Sequence, residues 1–296
     1  MILSKLKGTR SLFVILVVCL SLAAFLWHFT SKPDFPVENG DNQVVLAALG
    51  DSGTGTEAQY KVASSLKKIC DDRNCNGVFL LGDVIYDKGV SSVDDPQFNT
   101  KFEIPYKEIE SPFYIVLGNH DRLGCVECYI GYDSESPKWE FPGYFYKQSF
   151  GGLVDVFVLD TENFSQDQID WLEQEVNEST SFWRIAAGHH PIYTNSGQYA
   201  EAYPEKKELL KASICNNFDL YLAGHSHGLE SLGQECGVEY LVSGGGGADL
   251  YEILPNQSPF SAKSHGFLLI EATTNTLTYS FFNQEGKLLY SHQIQR

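Results

Sequence analysis

Positive charge is what this chain has least of: 21 Lys and Arg stand against 38 Asp and Glu, a formal net charge of −17 over 296 residues. That balance argues against nucleic acid as a partner, because binding it depends on a positive field. Phosphorylated substrates would be repelled as well, so any anion chemistry here calls for metal ions. Internal repeats are missing, and no second domain boundary follows residue 43. The glycine-rich stretch Gly50 to Gly55 lacks the Lys and Ser/Thr of a nucleotide-binding phosphate loop. The Cys125-x-x-Cys128 pair lacks a second cysteine pair at zinc-finger spacing, which argues against zinc there.

The apolar stretch Leu12 to Trp27 is broken only by Ser21 and follows Lys5, Lys7 and Arg10. It is short for a full membrane span and long for a signal core, so residues 1–30 read as a signal anchor or a signal peptide. Residues 31–43, with two prolines, read as a linker to a catalytic domain over 44–296. With the positive flank inside, that domain is expected outside the cytoplasm, secreted or anchored in the membrane. Six cysteines remain outside the apolar run, and an even number in an exported chain suggests disulfides. Local pairings are expected, Cys70 with Cys75, Cys125 with Cys128 and Cys215 with Cys236. Asn163, Asn177 and Asn256 begin N-x-S sequons.

What the chain does have is a recurring arrangement of strand, glycine and ligand-type residue. Phe79 to Leu81 reads as a buried strand ending at Gly82, which delivers Asp83 and then Tyr86 into the loop beyond. Val44 to Leu49 ends likewise in Gly50-Asp51, and Phe113 to Leu117 in Gly118-Asn119-His120-Asp121. Trp183 to Ala187 leads to Gly188-His189-His190, and Phe218 to Ala223 to Gly224-His225-Ser226-His227. Loops at the carboxyl ends of strands are where α/β sheets build sites. Apolar spacing predicts helices over Gln59–Ile69, Gln166–Val176 and Leu209–Cys215. Further strands are expected over Tyr144–Phe150 and Val154–Leu159. After Gly266 three strands separated by polar turns predict an antiparallel meander closing a second sheet. Four glycines, Gly244 to Gly247, mark backbone passing close to the site.

Imidazole, carboxylate and the Asn carbonyl are competent ligands for hard to borderline metals. His225 and His227, two apart, would point to opposite sides if extended, so one loop could serve two ions. Asp83 has two oxygens and can bridge them. Two ions about 3.5–4 Å apart clamp the attacking and leaving oxygens of an in-line displacement at phosphorus. Asp121 and His190 read as supports of the ligands rather than ligands themselves.

These five segments, in this order over residues 44–292, resemble the calcineurin-like metallophosphoesterase signature. Most members carry Asp-x-His at the first segment; here the third position is Gly53, and Tyr86 stands beyond the second. That combination resembles the purple acid phosphatases, in particular the mammalian-type, tartrate-resistant form. The resemblance implies an α/β fold, a four-layer αββα sandwich of two mixed β-sheets flanked by helices. It implies Fe(III) on Asp51, Asp83, Tyr86 and His227, and a second divalent metal, Fe, Zn or Mn, on Asp83, Asn119, His189 and His225. Formal charges of about +5 from metals and about −3 from Asp51, Asp83 and the Tyr86 phenolate leave a positive pocket for phosphate. The implied reaction is phosphate monoester hydrolysis at acidic pH by a metal-bound hydroxide, with His120 donating a hydrogen bond or proton to phosphate or leaving group. Small phosphorylated substrates or phosphoproteins are the implied partners, of a monomer that meets the membrane through residues 1–30 if these are uncleaved. The mammalian-type enzymes carry a second histidine soon after the His-x-Pro segment, whereas Tyr193 to Tyr199 contains none; Gln198 and His190 are the candidates to replace it. A diesterase or nucleotide hydrolase on the same metals, and a surface binding protein without turnover, are the alternatives.

Overall fold

The computed structural model describes residues 43–197, 204–255 and 257–296. The N-terminal segment expected over residues 1–30 and the linker as far as residue 42 lie outside the described residues, as do Gln198 and Asn256. Among the described residues no helix is long and apolar enough to cross a membrane.

The chain enters at β1 (Val44–Leu49), apolar and buried at every position, the pattern of a strand covered on both faces. Helix α1 (Glu57–Arg73) then buries Val62, Ala63, Leu66 and Cys70 at helical spacing. It runs past Ile69 and stops where Asn74 takes a left-handed conformation and its N–H returns to the Cys70 carbonyl, beside the Cys70–Cys75 disulfide. β2 (Gly77–Leu81) pairs parallel with β1, β3 (Phe113–Val116) with β2, and the short β4 (Trp139–Glu140) with β3. Between β3 and β4 lies the short helix α2 (Val126–Tyr132).

A second sheet begins with β5 (Tyr146–Phe150) antiparallel to β6 (Val154–Val158). Helix α3 (Gln166–Glu178), β7 (Trp183–Ala187), helix α4 (Pro204–Ile214) and β8 (Leu220–Ala223) follow, with β6, β7 and β8 parallel. β9 (Leu229–Glu235) and β10 (Val238–Ser243) form a hairpin about Cys236 and Gly237, both at positive φ, and the Cys215–Cys236 disulfide ties that turn to the end of α4. β10 lies parallel to β8, and β11 (Phe260–Ala262) pairs with β9. The strand order is β11-β9-β10-β8-β7-β6-β5. The hairpin is not evident from sequence because β9 carries Glu, Gly and Gln among its apolar residues.

The last three strands, β12 (Gly266–Ala272), β13 (Thr276–Asn283) and β14 (Leu288–Gln295), form the expected antiparallel meander, but it does not close the second sheet. It extends the first, with β12 antiparallel to β1 and Leu46 opposite Ile270, giving the order β14-β13-β12-β1-β2-β3-β4. The reason is the glycine run after β10, which crosses beneath the end of β1 and delivers the chain to its open side: Gly50 N–H donates to the Ser243 carbonyl and Gly246 N–H to the Gly50 carbonyl.

Both sheets are therefore mixed, and they pack face to face. Val154, Val156 and Val158 of β6 and Leu220 and Leu222 of β8 face the core shared with β1, β2 and β3. The alternate residues Phe157, Tyr221 and Ala223 face outward against Leu172 and Val176 of α3 and Leu210 and Ile214 of α4. This period-two split is the strand geometry that lets one sheet carry two hydrophobic layers. With α1 on the outer side of the first sheet, the fold is the expected four-layer sandwich. The parallel strands β1, β2, β3, β7 and β8 all end at the same edge of it.

Candidate metal centre

The eight residues singled out in the sequence meet at that edge. Asp51 follows β1, Asp83 and Tyr86 follow β2, Asn119 and His120 follow β3, His189 follows β7, and His225 and His227 follow β8. They fall into two groups joined by Asp83. In one, the Tyr86 hydroxyl lies 3.1 Å from Asp51 Oδ1 and 3.1 Å from His227 Nε2, and His227 Nε2 lies 3.3 Å from Asp51 Oδ1. In the other, His189 Nε2 lies 3.1 Å from Asn119 Oδ1, 3.2 Å from His225 Nδ1 and 3.5 Å from Asp83 Oδ2. Asp51, Asp83 and His189 bring one donor atom each within 4.8 Å of one another. His225 and His227 do serve different groups.

Local backbone explains how strand ends deliver these groups. Asp51, Asp83 and His225 have φ of 59°, 51° and 63°, a left-handed conformation that costs a non-glycine residue of order 1–3 kcal/mol. Neighbouring hydrogen bonds hold them there. His225 N–H donates to Asp51 Oδ2 at 2.7 Å, His120 N–H to Asp83 Oδ1 at 2.8 Å, and Asp51 N–H to the Gly82 carbonyl at 3.0 Å. The glycines leave room: a Cβ on Gly118 would fall 2.2 Å from Asp83 Oδ1, and one on Gly82 2.3 Å from His189 Nδ1. A Cβ on Gly244 would lie 2.9 Å from Asp51 Oδ2, so the glycine run does pass close to the site.

Each imidazole is oriented by what its other nitrogen touches. His189 Nδ1 faces the Leu81 carbonyl at 2.8 Å, His227 Nδ1 the Asp249 carbonyl at 2.6 Å, and His120 Nδ1 the Asp87 carbonyl at 2.6 Å. As Nδ1–H donors, all three turn Nε2 into the centre. Tyr251 stacks on the His227 ring at 4.0 Å. His120, with 32% of its side chain exposed beside an almost fully buried Asp83 carboxylate 4.0 Å away, is open to an incoming molecule. His190 is not: its Nδ1 lies 3.1 Å from Thr161 Oγ1 and its Nε2 3.0 Å from Glu162, and its ring packs on His225. It braces the His225 ring, and both its nitrogens already have partners. The supports Asp249, Tyr251, Asp87, Thr161 and Glu162 were missed in the sequence, where nothing in their spacing sets them apart.

Charge in this cluster is strongly coupled. Burial pushes the Asp83 carboxyl up, but the facing His189 outweighs it and holds Asp83 well below the usual carboxylate range. Burial pushes His189 down, and the Asp83 charge and hydrogen bond overcome it, raising His189 to about 10. Burial, then the Asp51 and Asp83 charges, drive the Tyr86 phenol far above its ordinary value. His227 is raised because Asp51 outweighs its burial, and His225 is driven far down by burial and by His189 and His190. The charge on protonated His189 thus offsets that on Asp83 and the Tyr86 hydroxyl donates to Asp51, protons whose place cations could take. The donor set of carboxylate, phenol, amide oxygen and imidazole, without thiol, fits hard to borderline metals, and the glycine-lined cradle leaves these donors converging.

A calcineurin-like phosphoesterase profile matches residues 44–229. Purple acid phosphatase 4 of Arabidopsis thaliana is 30% identical, over 96% of this chain and 93% of that protein. Human tartrate-resistant acid phosphatase type 5 is 26% identical over 85% of this chain and 90% of that one. Among solved structures, GAP50, the anchor in the inner membrane complex of Plasmodium, superposes with a TM-score of 0.73 at 22% identity, covering 86% of this chain and 89% of its own. A dimetal phosphatase from Danio rerio superposes at 0.58 with 12% identity, over 85% of this chain and 98% of that one. These two likenesses speak to the fold alone. From the profile over most of the domain and the near full-length relative, the chain belongs to the calcineurin-like phosphoesterase family and, within it, to the purple acid phosphatases.

Proposed function

We propose that this chain hydrolyses phosphate monoesters at an acidic pH with a mixed-valent pair of metal ions. Asp51, Asp83, Tyr86 and His227 would hold Fe(III), and Asp83, Asn119, His189 and His225 a divalent Fe, Zn or Mn. The carrying observation is the Tyr86 hydroxyl at 3.1 Å from both Asp51 Oδ1 and His227 Nε2. A phenol so buried beside two carboxylates ionises only against strong local positive charge, which a trivalent ion provides. When bound, the two ions supply Lewis-acid charge for a phosphoryl group and a water activated below neutral pH.

The chain's own residues do the rest. Asp83 sits between the two groups and holds them at one spacing. The Asp87 carbonyl accepts from His120 Nδ1–H and leaves Nε2 facing the opening, where the ring, once protonated there too, would donate to a phosphate oxygen or leaving group. Both His190 nitrogens are committed to Thr161 and Glu162, which favours His120 over His190 as the donor to the leaving group. Small phosphorylated molecules or phosphoproteins are the proposed substrates of a monomer outside the cytoplasm. Three disulfides among the described residues support an oxidising compartment.

Metal analysis of the purified protein with its visible spectrum is the test. Two metals per chain, at least one of them iron, and a charge-transfer band absent from Tyr86→Phe are expected. Two metals with no such band would leave an ordinary dimetal esterase. Hydrolysis of p-nitrophenyl phosphate but not of its bis ester is expected; the reverse would make it a diesterase.

A further inference from the structure

Asp121 is fully buried and accepts from three segments at once. Its Oδ1 takes the N–H groups of Val84 at 3.0 Å and Ile85 at 3.1 Å, and its Oδ2 that of Gly118 at 2.9 Å. Those donors belong to the loops that carry Asp83 and Tyr86 and that carry Asn119 and His120. One carboxylate therefore sets the spacing between two loops of the centre, and it does so beside Asp83, whose left-handed backbone needs outside support.

A fourth bond fixes that carboxylate. The Tyr129 hydroxyl donates to Asp121 Oδ1 at 2.9 Å, and it comes from a different element, α2. Tyr129 is itself buried, with Trp139 Nε1 donating to its carbonyl at 2.9 Å and the Phe98 ring edge-on to its own. α2 starts at the Cys125–Cys128 disulfide, and Cys125 N–H donates to the Val90 carbonyl at 2.7 Å. The same stretch of chain before Val90 supplies the Asp87 carbonyl that orients His120. A phenylalanine would fill the Tyr129 site equally well, so core packing does not account for the hydroxyl.

We propose that Tyr129 is a positioning residue of the metal centre. Its hydroxyl locks the Asp121 carboxylate that holds the Asp83 and Asn119 loops, and the Cys125–Cys128 disulfide holds the helical turn that delivers it. This rests on the reading that the centre binds metal ions. Groups bonded directly to a ligand typically contribute 10–100-fold to metal affinity; Tyr129, which acts through Asp121 on the backbone beside the ligands, should contribute at the lower end of that range.

The test compares the full chain with Tyr129→Phe and with the double variant Cys125→Ser/Cys128→Ser, using Zn2+ alone as the probe in competition with a chelating dye. Tyr129→Phe is expected to bind Zn2+ roughly 10-fold more weakly, with kcat on p-nitrophenyl phosphate lowered and KM within about twofold. The metal-free variants should melt within a few degrees of the metal-free wild type, a pattern that a purely structural tyrosine would reverse. Unchanged Zn2+ affinity and kcat in Tyr129→Phe would overturn the proposal. The double variant at wild-type affinity would remove the disulfide from it. Wild type that takes up no metal would sink the underlying reading, an outcome recognisable because the variants are then not distinguished from it.

Discussion

Gly118 shows what single residues contribute here. No side chain fits it, since a Cβ would fall 2.2 Å from Asp83 Oδ1 and 2.3 Å from Asp83 N. Gly118→Ala should displace Asp83 and lower kcat/KM by at least ~100-fold, the effect of misplacing a reacting group by about 1 Å. Gly143→Ala, whose Cβ would meet nothing nearer than 4.0 Å, should stay within about 0.5 kcal/mol of wild-type stability and keep its activity. A second residue-scale expectation concerns protons. His189, raised to about 10, is protonated at neutral pH in the metal-free protein, and the Tyr86 phenol keeps its proton too. Metal uptake must displace both, and the activated water adds its own, so titration calorimetry in buffers of different ionisation enthalpy should report at least two protons released per chain at pH 7, and affinity should fall as pH drops. For metal-free stability the sign follows from the raised His189: its contribution is full below the unfolded value of 6.5 and is lost as pH rises through about 10. Urea unfolding of the metal-free protein at pH 6 and pH 10 checks this, with the lower midpoint expected at pH 10.

Strands and helices contribute by fixing the loops at their ends. The loop after β7 is held by β9: Glu230, fully buried, accepts from Thr194 Oγ1 at 2.6 Å and Asn195 N–H at 2.8 Å. Glu230→Ala takes the acceptor from the half-buried Asn195 N–H, leaves the Thr194 hydroxyl Ser226 Oγ alone to donate to, and should destabilise the protein by roughly 1 kcal/mol. Chemical denaturation measures it. At this scale much was legible in the sequence. β1 and β7 match their expected bounds, and β2, β3, β6, β8 and the helices over Glu57–Arg73 and Gln166–Glu178 differ from theirs only at the ends, because apolar runs and 3.6-residue spacing reflect burial directly. α2 and the β9–β10 hairpin were not legible, since their short, mixed sequences take their structure from neighbours.

Over the whole molecule, a chain of net charge −17 gathers the residues of its proposed metal centre at one edge of a sandwich. Bound metal should therefore stabilise the fold by mass action, by about 2.7 kcal/mol per site at 100 times Kd. Chelation should lower the melting temperature, and added metal should restore it in proportion to the logarithm of free concentration. A melting temperature indifferent to chelator would contradict the centre at this scale.

The sequence by itself determined where the ligand-type side chains fall. Each strand announces its end by a glycine, and the residue after that glycine is read without knowing what lies opposite. The tertiary structure alone decided that the final meander joins β1, that His190 turns to Thr161 and Glu162, and that Asp121 gathers its donors from three segments. The physical reason is range. Burial and backbone preference act on neighbours in the chain, while a carboxylate's hydrogen bonds and a strand's open edge are satisfied by whichever distant residues the fold brings to them.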